Sequence, residues 1–387
     1  MRSFLAMLTA GVFLAGCLAV TATAGEATRD EAIKAAKKGA EFLLKQQNPD
    51  GGFGQKDGKP FSMVGYTGLA VAGLVESGAV ARDSDAVKKA VDFILGKKQA
   101  DGSICTRELG YQSYETSIAI MALAAVDREK YKADIKKAAD YIVGIQDDGK
   151  IAPTSAGGIG YGSDGKNSNM STTHYALVAL KEAGVPEDSD VWKRAVAFVS
   201  SCQNNAETNK SEWAGVDGGF IYSAKPESKA GEVEVRGKKG WRSYGSMTYA
   251  GYLSYVYAKI GQDDPRVKSA LKWISENYTL EENPGMKDQG LFYYYHTFAT
   301  AMAARGEATL KDKDGKEHDW ARELAGKLLG LQNDDGSWLN KADRWHEGDK
   351  IICTAYSLRA LARTIDAMKP AAAKPVNETK NALDRVL

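Results

Sequence analysis

The chain has 387 residues, 51 Lys and Arg against 50 Asp and Glu, and a formal net charge of +1. That balance gives no general electrostatic reason to bind nucleic acid or an anionic surface, so none is expected as partner. Such a length exceeds the usual single-core domain and points to two domains or to a repeat.

In chain order, Arg2 precedes an apolar run from Phe4 to Val20 and then small residues, the order of a secretory signal peptide over residues 1–24. Cleavage after Ala22-Thr23-Ala24 and lipidation of Cys17 in the box Leu14-Ala15-Gly16-Cys17 both fit. The expected location is therefore exported, either periplasmic or membrane-tethered as a lipoprotein. No later apolar run approaches the ~20 residues of a spanning helix, so no transmembrane segment is expected in the mature chain. Beyond Cys17 there remain Cys105, Cys202 and Cys353, an odd set without paired spacing, which argues against a disulfide framework.

From about residue 30 one unit recurs six times: a helix, a Gln-Asx-Gly turn, and a second helix near a Thr. The first helices carry apolar stripes at helical spacing, Ile33/Ala36/Leu43, Val87/Ala90/Ile94, Ile135/Ala138/Ile142, Trp192/Ala195/Val199, Val267/Ala270/Ile274 and Trp320/Leu324/Leu328. The turns read Gln47-Asn48-Pro49-Asp50-Gly51-Gly52-Phe53, Gln99-Ala100-Asp101-Gly102, Gln146-Asp147-Asp148-Gly149 and Gln332-Asn333-Asp334-Asp335-Gly336-Ser337-Trp338. Repeat four spreads these parts over Gln203-Asn204 and Asp217-Gly218-Gly219-Phe220, and repeat five is degenerate around Asp288-Gln289-Gly290-Leu291-Phe292. The second helices are nearly apolar all round and align on Thr67, Thr116, Thr173, Thr248, Thr297 and Thr354, spaced 49, 57, 75, 49 and 57 residues apart.

Half-exposed first helices around apolar second helices imply an outer ring about a buried inner ring. An open solenoid needs polar caps, yet the last unit, Ile352-Cys353-Thr354-Ala355-Tyr356-Ser357-Leu358, is as apolar as the others. The expectation is all-α: an α/α toroid, a double-layered α6/α6 barrel of six helical hairpins over residues 25–366, with a flexible polar tail over 367–387. The aligned threonines are expected to cap helices or pack the ring.

The turns Gln-Asn-x-Asp-Gly-Gly-Phe and Gln-Asn-Asp-Asp-Gly-Ser-Trp resemble the Gln-Trp repeats of squalene-hopene cyclases and the related prenyltransferase repeats, over residues 30 to about 365. This terpenoid cyclase and protein prenyltransferase resemblance implies inner helices whose starts point at a central cavity. The residues beside the aligned Thr are then the cavity candidates: Tyr66, Glu115, His174, Tyr249, His296, Phe298 and Cys353, with Trp241 and Tyr294 as further aromatic walls. Aromatic faces of this kind stabilise carbocations.

The family's chemistry does not carry over residue by residue. The cyclases' Asp-x-Asp-Asp acid has no counterpart, because Asp147-Asp148, Asp263-Asp264 and Asp334-Asp335 read as turns; Glu115 is the candidate catalytic acid in its place. Tyr295-His296-Thr297-Phe298 resembles the prenyltransferase zinc-ligating His motif, but the preceding inner helix lacks the Asp-x-Cys pair. His296, Cys353 and Asp349 are the candidates for a rearranged site, and no cofactor, zinc included, is expected. His318 and His346 are expected at the surface. Arg236, Lys238, Lys239 and Arg242 cluster before inner helix four, where they are candidates for holding an anion. The expected function is a binding toroid for an unknown small or extended ligand, an isoprenoid among the options. The alternatives are a divergent cyclase or prenyltransferase and a polysaccharide-active toroid enzyme.

Overall fold

The structure, a computed structural model, describes residues 25–150, 153–162, 167–225, 227–235 and 237–369. The leader with Cys17, the tail beyond residue 369, and Arg236 lie outside the described residues.

The outer helices are α1 (Arg29–Lys45), α3 (Asp85–Leu95), α5 (Lys132–Gly144), α7 (Asp190–Ser201), α9 (Pro265–Glu276) and α11 (Trp320–Leu331). They alternate with inner helices α2 (Val64–Glu76), α4 (Gln112–Asp127), α6 (Met170–Glu182), α8 (Gly245–Tyr257), α10 (Leu291–Arg305) and α12 (Lys350–Ala367). Each outer helix buries its apolar stripe, for instance Val87, Ala90 and Ile94 in α3, while Ile33 in α1 is only partly covered. The inner helices are buried all round: every residue of α8 from Gly245 to Tyr255 is inside. A helix with no polar face must be enclosed, and two concentric layers enclose six of them.

The ring closes. Helix α2 packs on α4, α4 on α6, α6 on α8, α8 on α10, α10 on α12, and α12 returns to α2, while α1 packs on α11 and α12. Main-chain bonds seal the joint, with Ala27 N donating to Arg322 O at 3.1 Å.

The Gln of most turns is the stitch between neighbouring outer helices, whereas Gln99 bonds Lys97 O and Cys105 O beside its own turn. Gln47 Nε2 donates to Gly51 O in its own turn and to Ala86 O in α3, both at 2.8 Å. Gln146 bridges Gly157 O and Val191 O, and Gln203 bridges Gly218 O and Arg266 O. Gln332 does the same across the joint, reaching Gly336 O at 3.0 Å and Ala35 O at 2.9 Å. An amide NH2 has two donors, which is what one turn and one neighbour require. The turn glycine must be Gly because φ is positive and the next outer helix is close: on Gly51 (φ +87°) a Cβ would stand 2.5 Å from Lys89 O. Repeat three corrects the expected turn. Its counterpart is Gly157 (φ +84°), where a Cβ would collide with Arg194 O, and Gly149 merely turns an inserted loop.

The aligned threonines are not N-caps; they sit one turn inside the inner helices. Thr67 Oγ1 accepts the amide of Phe53 at 2.9 Å and donates to Met63 O at 2.7 Å. Ile104, Ile159, Phe220 and Trp338 are held likewise by Thr116, Thr173, Thr248 and Thr354. Thr297 bonds only to the helical carbonyls of Tyr293 and Tyr294. In that degenerate repeat two phenols hold the turn instead, Tyr294 on Thr279 O at 2.7 Å and Tyr295 on Leu280 O at 2.6 Å.

Among the described residues, three two-stranded antiparallel hairpins that the sequence did not announce decorate the ring: β1 (Gln55–Lys56) with β2 (Lys59–Pro60), β3 (Glu232–Val235) with β4 (Lys238–Trp241), and β5 (Thr309–Lys311) with β6 (Glu317–Asp319). Each is too short to build a sheet.

Candidate active or binding site

The inner helices start at one end of the ring, and most start without a side-chain cap of their own: Met63, Tyr111, Tyr244 and Gly290 offer none. The following repeat supplies it. Glu115 reaches α2, accepting from Gly65 N at 2.9 Å through one oxygen and from Thr106 N at 2.6 Å through the other. Asn283 Oδ1 accepts from Ser246 N of α8 at 3.0 Å. Glu347 accepts from Tyr293 N at 2.8 Å, Phe292 N at 3.2 Å and Asn340 Nδ2 at 2.6 Å, covering the start of α10. Main-chain carbonyls do the same elsewhere, Tyr161 O for α4 and Tyr222 O for α6. Orphan amides at helix starts require such partners, and these loops consequently converge on the ring axis.

Inside this collar lies a cavity of about 800 Å³, within the usual size of ligand pockets. Eight tyrosines line it, Tyr66, Tyr111, Tyr114, Tyr161, Tyr222, Tyr244, Tyr293 and Tyr356, with Phe61 and Trp345. Their hydroxyls form short chains: Tyr161 to Tyr222 at 2.7 Å, Ser171 to Tyr293 at 3.3 Å, and Tyr356 to the buried Tyr175 at 3.4 Å. Tyr114 packs against Tyr175 with centroids 4.5 Å apart and the rings tilted by 34°. Aliphatic walls come from Met63, Leu69, Ile118, Met247 and Ile352, and polar groups from Gln55, Lys56, Glu108, Glu115, Asp343 and His346.

Of the sequence candidates, Tyr66 and Glu115 line this cavity and the others do not. Tyr66 pairs with Asp349; burial first, then that carboxylate, pushes the phenol pKa up. Burial raises the Glu115 pKa against the opposing pull of its amide donors. Tyr249 and Phe298 pack together at 5.0 Å, and Phe298 continues outward to Trp320 at 6.2 Å, between the layers. Tyr294 belongs to the same interlayer cluster. Cys353 is buried and donates its thiol to Glu347 O at 3.0 Å, and burial pushes its pKa up. Asp349 caps its own helix through Ile351 N at 2.7 Å. Among the described residues no three His, Cys, Asp or Glu side chains converge as metal ligands do.

His174 and His296 lie buried below the cavity, around Arg359. Burial and then Arg359 lower the His174 pKa to about 3, and the same causes hold His296 well below the usual imidazole range. His296 stacks on Tyr356 at 5.5 Å. Arg359, 1% exposed, is neutralised by Glu76 at 3.3 Å, which Arg363 also meets at 3.1 Å. Burial alone would raise the Glu76 pKa, yet the two guanidinium groups hold it below its ordinary value. This ion cluster closes the axis under the tyrosines.

Elsewhere, Lys238 and Lys239 sit on the β3–β4 hairpin paired with Glu212 at 3.5 Å and Glu232 at 2.6 Å, and neither lines the cavity. Arg242 is exposed beside them, and Trp241 is covered by Lys239 at 4.8 Å. Of the two histidines expected at the surface, His346 is exposed but on the cavity rim, whereas His318 is 8% exposed, clamped between Asp312 at 3.1 Å and Glu323 at 2.9 Å.

The misses have one geometric cause. Each aligned Thr turns outward to hold its turn, so its immediate neighbours lie about 100° round the helix, facing adjacent inner helices; positions two before and two after lie about 200° away, facing the axis. Gly65 and Leu69, Tyr114 and Ile118, Ser171, Ser246, and Ile352 and Tyr356 obey that rule, and all line the cavity. In α10, where Thr297 holds no turn, Tyr293 is the lining residue.

Comparison with known proteins matches residues 60–221 to the squalene-hopene cyclase C-terminal domain. The fold is shared with the type II terpene cyclase MstE from Scytonema, solved in a substituted form with geranylgeranyl dihydroxybenzoate, at 12% identity and TM-score 0.54, covering 88% of this chain and 98% of that one. It is shared equally with the GH76A α-1,6-mannanase from Salegentibacter sp. HEL1_6, at 10% identity and TM-score 0.56, covering 87% and 100%. At these identities the likeness is one of fold.

Proposed function

Taking the chain as a closed α/α toroid with squalene-hopene cyclase-type repeats, we propose that it is an exported binding protein that holds an extended ligand, part apolar and part polar, in the central cavity. The observation that carries this reading is the cavity wall, eight tyrosines whose rings offer apolar faces and whose hydroxyls and neighbours offer polar contacts. Terpene cyclase MstE holds a geranylgeranyl compound on this fold and the mannanase a mannotetraose, so both ligand types are accommodated by such rings.

Catalysis of the cyclase kind is not favoured. Glu115, the candidate acid, has both oxygens engaged by main-chain amides and would have to release Gly65 or Thr106 to carry a proton. Glu108 and Asp343, two further carboxylates lining the cavity, are exposed on its rim. The prenyltransferase route needs a zinc thiolate, whereas the candidate thiol, Cys353, donates to a carbonyl. The leader over residues 1–24 supports export, with the mature start at Cys17 or after Ala24; intact mass of the mature protein distinguishes them.

The test is native mass spectrometry of the mature protein for a copurified small molecule, with Tyr114→Ala and Tyr356→Ala as variants. A ligand retained by the parent and lost from both folded variants is expected. A ligand retained by both would place binding outside the cavity.

A further inference from the structure

We propose that the rim of the cavity is a saccharide-binding subsite, with Trp345 and Tyr111 as platforms for sugar rings and Glu108 and Asp343 as acceptors for their hydroxyls. The proposal rests on the reading that the cavity takes an extended ligand, and it names that ligand's class.

Three observations carry it. First, the exposed large hydrophobic side chains include two aromatic ones, Tyr111 at 45% and Trp345 at 40%, and both line this cavity. Rings left in water elsewhere would be scattered; two on one rim mark a contact surface.

Second, the rim backbone is held in an unfavourable conformation. Trp345 (φ 60°, ψ 36°) and His346 (φ 67°) are consecutive non-glycine residues in the left-handed region. That region is sterically unfavourable for an L-residue. The surrounding structure enforces the shape: Asp349 N bonds His346 O at 3.0 Å, Asn340 N bonds Glu347 O at 3.1 Å, and Glu347 is fully buried. The indole is seated on Gly290, where a Cβ would stand 3.0 Å from its ring, and Arg344 lies over the ring at 4.4 Å. Strain retained in a solvent-facing loop at a cavity rim is a functional signature.

Third, the rim's charges are of both signs, Lys56 against Glu108 and Asp343, and these two carboxylates form no ion pair among the described residues. One ammonium against two carboxylates leaves only a small net charge, and salt screens its pull on an ion in this open rim. Its hydrated groups would lose their water against a hydrocarbon chain without replacement, which is unfavourable for charged groups above all. A neutral polyol returns those hydrogen bonds while its C–H face lies on the rings.

Titration calorimetry of the mature protein with cellotetraose, mannotetraose and geranylgeraniol tests this, using Trp345→Ala, Trp345→Phe and Tyr111→Ala variants whose circular dichroism matches the parent. At least one tetrasaccharide is expected to bind. Trp345→Ala should weaken it about tenfold, equivalent to about 1.4 kcal/mol, and Trp345→Phe should restore most of the affinity. Binding of geranylgeraniol without either tetrasaccharide overturns the subsite and leaves the cavity reading standing. Tetrasaccharide binding indifferent to Trp345→Ala and Tyr111→Ala also overturns it. If no probe binds, the subsite is overturned, and the cavity reading is decided separately by the copurified molecule.

Discussion

Glu347 offers a quantitative test of how the collar is built. It is fully buried, accepts three hydrogen bonds, and burial raises its pKa from 4.5 to about 7 against the pull of those donors. An acid with a raised native pKa holds its proton longer folded than unfolded. Stability is therefore greatest below the unfolded pKa, falls as pH rises through the window from about 4.5 to about 7, and levels off above it. A rise of some 2.5 units corresponds to roughly 3 kcal/mol across that window. Glu347→Gln cannot ionise, so it should escape this loss, while costing about 1–3 kcal/mol at all pH values because one acceptor becomes a donor facing an amide. Urea unfolding of parent and variant at about pH 4.5, 6 and 8, followed by far-ultraviolet circular dichroism, gives the comparison. The stability difference, parent minus variant, should shrink by roughly 3 kcal/mol from the lowest to the highest pH. A difference constant with pH would mean that the donors at α10 keep Glu347 ionised throughout, and the burial argument would be refuted.

Thr354→Ala should cost about 1–3 kcal/mol because it strands the buried amide of Trp338, whereas Thr297→Ala, which strands no amide, should cost under ~1 kcal/mol; paired urea curves decide it. Gly157→Ala should destabilise by several kcal/mol more than Gly149→Ala, since only the former drives a Cβ into the backbone of α7, and melting temperatures with unchanged order would contradict the turn assignment. Glu76→Gln should cost about 3–5 kcal/mol by leaving Arg359 buried and underpaired, and Glu76→Gln with Arg359→Met should recover much of it; equal losses in single and double variants would dismiss the ion cluster. Glu115→Ala should lower stability by about 1–2 kcal/mol through the lost cap on α2, alongside any loss of ligand, and an unchanged melting temperature would return Glu115 to a purely functional role.

The sequence by itself determined the ring. Six copies of a Gln-turn-Thr unit, apolar stripes at helical spacing and an uncapped apolar last repeat are local and periodic signals, and Gln332 on Ala35 O closes the joint with the same bond used between Gln47 and Ala86. Tyr66 and Glu115 were also within reach, because position minus one from the Thr brushes the cavity in those repeats, as it does at Met247. What only the tertiary structure decided is which way the threonines face. A helix nearly apolar all round carries no periodic marker of its axis-facing side, so the 200° rotation that turns Tyr114 and Tyr356 to the axis is set by the amides that Thr116 and Thr354 accept from their turns. The rim was equally illegible: Trp345, Glu347 and Asp343 come from the irregular segment before α12, and their place over the start of α10, some 55 residues back, follows from closing a ring in which each repeat caps the one before it.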